Sequence, residues 1–197
     1  MPLPVAHSLL GATICVAADR DGAGVSPGRL ATAVVLANAA DLDYLPGMLI
    51  GDPHRFHRMA SHSLTFAVLV GIAAAVAVRS GVVRDWPLRP GLPRGALGTG
   101  LIATAVWMSH PVLDLFNGDY SEPTGVLLFW PFLEVWVAST PFFMNVDKVA
   151  GAATPWAFAW SLVTWHNVKT AALEFAVLGP VLAATVWWRR RGRSERA

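Results

Sequence analysis

Five apolar runs organise the chain: residues 3–18, 30–40 leading into Asp41, 63–78, 95–116 and 168–188. Each is long enough, or nearly so, to cross a hydrocarbon core that needs about 20 helical residues, although the first two are short for full spans. A Gly/Pro-rich turn at 19–29 separates the first two. Pro87, Pro90 and Pro93 break any helix between the third and fourth. Residues 117–167 form a long connection rich in Trp, Phe and Pro. Its apolar piece 126–132 is too short to span and is expected at the membrane interface, where Trp is favoured. The pattern predicts an all-α, multi-span bundle of four to five membrane helices with an interfacial aromatic segment. Residues 1–188 form one membrane domain, and 189–197 a basic tail.

Composition agrees with that reading. Of 197 residues 54% are hydrophobic and 14% charged, with a mean hydropathy of +0.48, well above the soluble range. The bilayer is therefore the first partner, and nothing in the chain asks for a nucleic acid. Cys15 is the single cysteine, so neither an intramolecular disulfide nor a cysteine metal site is available. No basic residue precedes the first apolar run and His7 interrupts it, so it is expected to stay as a helix rather than act as a leader.

Charge sets the expected orientation. With the tail inside, the inner segments hold Arg20, Arg29, Arg79, Arg84, Arg89, Arg94, Arg189, Arg190, Arg191, Arg193 and Arg196. The outer ones hold only Arg55, Arg58, Lys148 and Lys169. Because cytoplasmic loops retain positive charge, this split predicts a cytoplasmic C-terminus in a multi-pass protein of the cytoplasmic membrane.

That topology brings His7, Asp41, Asp43, His57, His62, His110 and Asp114 to one level at the outer end of four elements. Ionisable groups at membrane depth cost roughly 2.5–3.5 kcal/mol each on insertion scales, so such a gathering is paired, hydrated or functional. His110 and Asp114 stand one helical turn apart, on one face if the helix continues through Pro111. Asp41 and Asp43 flank Leu42, and an extended segment there would turn both carboxylates to one side. His57 and His62, five apart, suit no single helical face. We therefore expect one, His62, as a ligand and the other as an orienting group or an acid/base. Mixed imidazole and carboxylate donors suit zinc, manganese or iron better than magnesium. His54 and His166, beside Pro53 and Trp165, are left out as interfacial residues.

The blocks His7-Ser-Leu-Leu-Gly11, Asp41-Leu-Asp43, His57-Arg-Met-Ala-Ser-His62-Ser and His110-Pro-Val-Leu-Asp114 together resemble the bacterial membrane-bound metal-dependent hydrolases, a family with LexA-regulated members. The resemblance runs over about residues 5–135 and again, sparsely, near the end. Met59-Ala60-Ser61 departs from the Gly or Thr usual between the two histidines, and Ala40 stands where a Pro is expected. A more distant similarity links the order of ligands to zinc-dependent phospholipase C. It implies His7, Asp43, His62, His110 and Asp114 as the ligand set, with zinc as the first choice of cofactor. The expected activity is hydrolysis of an ester or phosphoester, a lipid by location alone, at the outer face. His57 and Asp41 are the expected catalytic groups, and Arg55 and Arg58 the expected phosphate contacts. A metal sensor or carrier without hydrolysis is the alternative. The sequence leaves the oligomeric state open.

Overall fold

The structure, a computed structural model, describes residues 2–52, 54–118, 123–147 and 154–194. It is helical, and among the described residues β-pairing is confined to isolated bridges such as Asp19↔Leu88 and Val126↔Val137. Lys148 and residues 195–197 of the expected tail lie outside the described residues.

Helix α1 (Pro4–Ala18) begins with Pro at its first position, where the missing N–H costs nothing, but no side chain of its own caps it. Glu174, buried in α7 (Trp165–Ser194), supplies the cap instead. It accepts the Leu3 N–H at 2.6 Å and the Ala6 N–H at 2.9 Å. Helix α2 (Pro27–Asn38) starts on Ser26, whose hydroxyl accepts from the Arg29 N–H, and α4 (Leu64–Arg79) on Ser63, which accepts from the Phe66 N–H. Between them stand the 3₁₀ turn Ala39–Asp43, the short α3 (Tyr44–Leu49) and the 3₁₀ turn Ala60–His62. Helix α5 (Gly95–Asp114) runs unbroken through Pro111, and α6 (Pro155–Ser161) is a short piece in the long connection.

α1 packs against α2, α5 and α7, while α4 lies on α5. Small residues let the backbones meet: a methyl at Gly100 of α5 would stand 2.8 Å from the Gly71 carbonyl of α4, and one at Gly11 would stand 2.6 Å from the Ala37 methyl. The five longer helices therefore run between two shared ends. One gathers Asp19, Arg29, Trp86 and Arg189; the other gathers Leu3, Asn38, His62, Asp114 and Glu174.

Two helices, not the expected four to five, are long and apolar enough among the described residues to cross a membrane alone: α5, with 20 residues, and 27 residues of α7. α1 and α4 are apolar but stop at 15 and 16 residues, and α2 at 12. At 1.5 Å per residue these lengths fall below a core of about 30 Å. The helices are cut short because their ends are spent on polar turns: Asp19 closes α1, and the 3₁₀ turn 39–43 takes over from α2. α7 carries helix past Arg189 to Ser194, so the start of the basic run continues the helix, and Arg189 Nη2 donates to the Asp19 carbonyl at 2.5 Å.

Candidate metal centre

Four elements deliver the cluster. His7 sits one turn into α1, Asp41 in the 3₁₀ turn after α2, His62 in the 3₁₀ turn before α4, and His110 and Asp114 one turn apart at the end of α5. His7, His62 and His110 are fully buried and Asp114 nearly so. Their atoms converge closely. His62 Nε2 lies 3.2 Å from Asp114 Oδ2 and 3.6 Å from Asp41 Oδ1. His110 Nε2 lies 3.3 Å from Asp41 Oδ1 and 3.6 Å from Asp114 Oδ2. His7 Nε2 lies 3.7 Å from Asp114 Oδ1. The His7 and His110 rings stack at 3.7 Å.

None of these atoms (His7 Nε2, Asp41 Oδ1, His62 Nε2, His110 Nε2, either oxygen of Asp114) has a hydrogen-bond partner. Burying such groups unsatisfied costs about 1–3 kcal/mol each, more for charged ones, so the convergence calls for an occupant. Donors placed 2.0–2.2 Å from one tetrahedral ion stand about 3.4 Å apart, which is the spacing found. The residues therefore form groups able to hold a metal: His7 with His110 and Asp114, and Asp41 with His62 and His110.

The outer partners fix which imidazole nitrogen is free. His110 Nδ1 faces the Ala37 carbonyl at 2.8 Å; a carbonyl only accepts, so Nδ1 carries the proton and Nε2 offers its lone pair to the centre. His62 Nδ1 lies 2.9 Å from Ser61 Oγ and 3.2 Å from Asp43 Oδ2, leaving its Nε2 in the same state.

Asp41 and Asp43 stand on a 3₁₀ turn rather than the expected extended segment, and they reach the same two histidines from different edges: Asp41 Oδ1 lies 3.8 Å from His57 Nδ1 and 3.6 Å from His62 Nε2, while Asp43 lies 3.0 Å from His57 Nδ1 and 3.2 Å from His62 Nδ1. The 3₁₀ turn makes about 120° per residue, so positions two apart diverge. Asp41 faces the cluster, whereas Asp43 turns to the loop behind it. There it accepts from Ser61 Oγ at 2.6 Å and the Arg58 N–H at 3.2 Å, and meets His57 Nδ1 at 3.0 Å. Leu42 is exposed. His57 belongs to this second group, Asp43–His57–His62. Its ring stacks on Tyr44 at 3.9 Å, and its buried Nε2 has no hydrogen-bond partner.

Arg58 holds the loop in place with a left-handed backbone, φ 64°, which costs a non-glycine residue about 1–2 kcal/mol. Its N–H bonds to Asp43, and its carbonyl accepts from the Leu127 N–H at 3.0 Å. Arg58 is buried next to the cluster. Arg55 is exposed over the Phe56 ring, 6.0 Å away.

Charge follows this geometry outside the spanning helices. Burial pushes the Asp43 carboxyl up, but hydrogen bonds with His57 and His62 outweigh it and hold the group at about 2. Burial likewise raises Asp41, and the imidazoles, His110 first, hold it well below the ordinary value. Burial pushes His57 down to about 4, keeping it neutral at pH 7.

Sequence reasoning passed over three contributors, Ser61, Trp107 and Ala37, and left a fourth, Glu174, without a role. Ser61 lies between the two histidines and orients both Asp43 and His62. Trp107 Nε1 donates to the Ser61 carbonyl at 2.8 Å, Ala37 works through its backbone, and Glu174 caps the helix that carries His7. Only Ser61 and Glu174 carried a visible signal: a hydroxyl within the block, and a carboxylate within an apolar run. His166 stays apart, bonded to the Asn145 carbonyl at 2.7 Å.

No curated protein and no solved structure matches the chain. A family model described as YdjM inner membrane protein matches residues 1–192, and the chain belongs to that inner membrane family.

Proposed function

We propose that the protein is a membrane-embedded, metal-dependent hydrolase of an ester or phosphoester, with zinc as the first-choice ion and manganese or iron as alternatives. The observation that carries this reading is the convergence of partnerless buried donors from His7, Asp41, His62, His110 and Asp114 at 3.2–3.7 Å. Those five would hold one ion or two, in the overlapping groups His7–His110–Asp114 and Asp41–His62–His110. Asp43 then acts behind them, orienting His62 and His57, in place of the direct ligation that the phospholipase likeness implied. When bound, a divalent cation polarises the bond under attack and acidifies water near neutral pH.

The other steps belong to the chain itself. His57, neutral and held by Asp43 through Nδ1, keeps the Nε2 lone pair to take a proton from water and return it to the leaving oxygen. Arg58, buried where Arg55 is exposed, would meet a phosphate. Five helices, α1, α2, α4, α5 and α7, cross together, the short ones completed by the polar turns. The site faces outward, because the arginine-rich end with Arg29, Arg89 and Arg189 takes the cytoplasmic side. Trp156, Trp160 and Trp165, all exposed, mark an interfacial belt.

The test is a panel of esters and phosphoesters offered to metal-loaded wild type and His57→Gln, with bound metal measured in both. Turnover in wild type, reduced about 10²–10⁴-fold in His57→Gln at unchanged metal content, is expected. Metal without turnover on any substrate would contradict hydrolysis and leave a sensor or carrier.

A further inference from the structure

Beside the cluster lies a cavity of about 540 Å³, walled by Phe56, Met59, Phe66, Trp107 and Trp130. Only Asp43 and Ser61 bring polar side chains to it, and both belong to the hydrogen-bond group that holds His57 and His62. Trp107 adds no polar demand, since its indole N–H is already spent on the Ser61 carbonyl. The volume is that of a small-molecule site, about 300–1,000 Å³, but so apolar a wall suits a hydrocarbon.

Exposed apolar side chains border the cavity. Leu42 and Phe56, which line it, are exposed, and on α4 the lining residue Phe66 is followed at helical-neighbour spacing by Leu69, Ile72 and Val76, all three exposed. Such a stripe on a member of an inner membrane family meets acyl chains. A chain lying along it can turn into the cavity without crossing water.

We propose that this cavity receives an acyl chain of a membrane lipid, so that the ester or phosphoester end of the same molecule reaches the His57–Asp43 side of the site. The proposal rests on the hydrolase reading above and names its substrate class. Water is the co-reactant: its oxygen joins the acyl carbon or phosphorus, the ester C–O or P–O bond breaks, and the proton passes to the leaving oxygen.

Full-length protein in vesicles of phosphatidylethanolamine and phosphatidylglycerol, doped with phosphatidylglycerol bearing a diazirine near its acyl ester, tests this. After irradiation, peptides covering residues 54–66 should be labelled at least as strongly as the exposed face of α7. Ala60→Phe and Leu42→Trp, which fill the cavity from two sides, should each cut that labelling several-fold. Labelling of α7, the melting temperature and bound metal should stay unchanged. Labelling confined to α7, or untouched by both substitutions, would overturn the proposal while leaving the metal reading standing. Cavity labelling in protein that binds no metal under loading would overturn the substrate assignment through failure of the hydrolase reading itself.

Discussion

Each end of the helix bundle buries an aspartate, Asp19 at one and Asp114 at the other, and the two are treated in opposite ways. At the arginine-rich end Asp19 is fully buried yet fully engaged. Its Oδ1 accepts the Asp21 N–H at 2.8 Å, and its Oδ2 accepts Arg29 Nη1 at 2.5 Å and Trp86 Nε1 at 3.1 Å, while Arg29 also reaches Asp21 at 2.7 Å. At the other end both oxygens of Asp114 are buried without a hydrogen bond, facing imidazole nitrogens equally without one. A closed set of charges is what a fold needs to hold α1, α2 and the 83–94 loop together. An open set, built by four separate elements, leaves valences for something the chain does not contain.

Substitutions at the two ends should therefore fail in different ways. The largest effect is expected from Asp114→Asn, which keeps the size and removes the charge opposing a cation. Bound metal should fall by two orders of magnitude or more, since even an outer partner is worth about 10–100-fold, while the melting temperature of the metal-free protein changes little. Metal analysis of detergent-purified protein beside thermal unfolding reads both. Arg29→Ala reverses the pattern: it strands Asp19, and because Arg29 is partly exposed the loss should sit near the lower end of the 3–5 kcal/mol typical of broken buried pairs. Its melting temperature should drop at unchanged metal stoichiometry. Loss of metal in Arg29→Ala without loss of stability would dissolve the contrast between the ends.

Two smaller effects sharpen it. Asp43→Asn should weaken metal binding only about 10–100-fold, less than Asp114→Asn, because Asp43 acts through His62 and His57. Equal losses in titrations of the two variants would restore Asp43 to direct ligation. Zinc should also stabilise the wild type, by about 2.7 kcal/mol at a concentration 100 times its dissociation constant, and should do so far less in Asp114→Asn. Identical zinc-induced shifts in both proteins would place the bound ion elsewhere.

The contrast also separates what the sequence discloses from what it conceals. The five helices were legible because continuous apolar runs bounded by Pro, Gly and charge leave few other solutions. The pairing of His110 with Asp114 follows from helical spacing once Pro111 is tolerated. The one-level gathering followed from counting arginines, not from any local motif. The divergence of Asp41 from Asp43 was hidden, because a five-residue 3₁₀ turn is set by the loop that packs on it, through Ser61 and Arg58 backbone contacts far along the chain. The cap from Glu174 spans 171 residues to Leu3, beyond any capping rule that reads neighbours. The shortness of α1, α2 and α4 was legible, since the apolar runs 3–18, 30–40 and 63–78 are about as long as the helices themselves; the residues that end them, Asp19 and the 3₁₀ turn 39–43, were not.

X-ray absorption at the zinc edge of loaded, detergent-purified wild type tests the central claim most directly. The account predicts stoichiometric zinc with nitrogen and oxygen donors at about 2.0–2.2 Å, outer-shell scattering from imidazole and no sulfur, since Cys15 is buried in the last turn of α1, about two turns from His7. Folded protein that retains no zinc, or zinc with a sulfur neighbour, would contradict it.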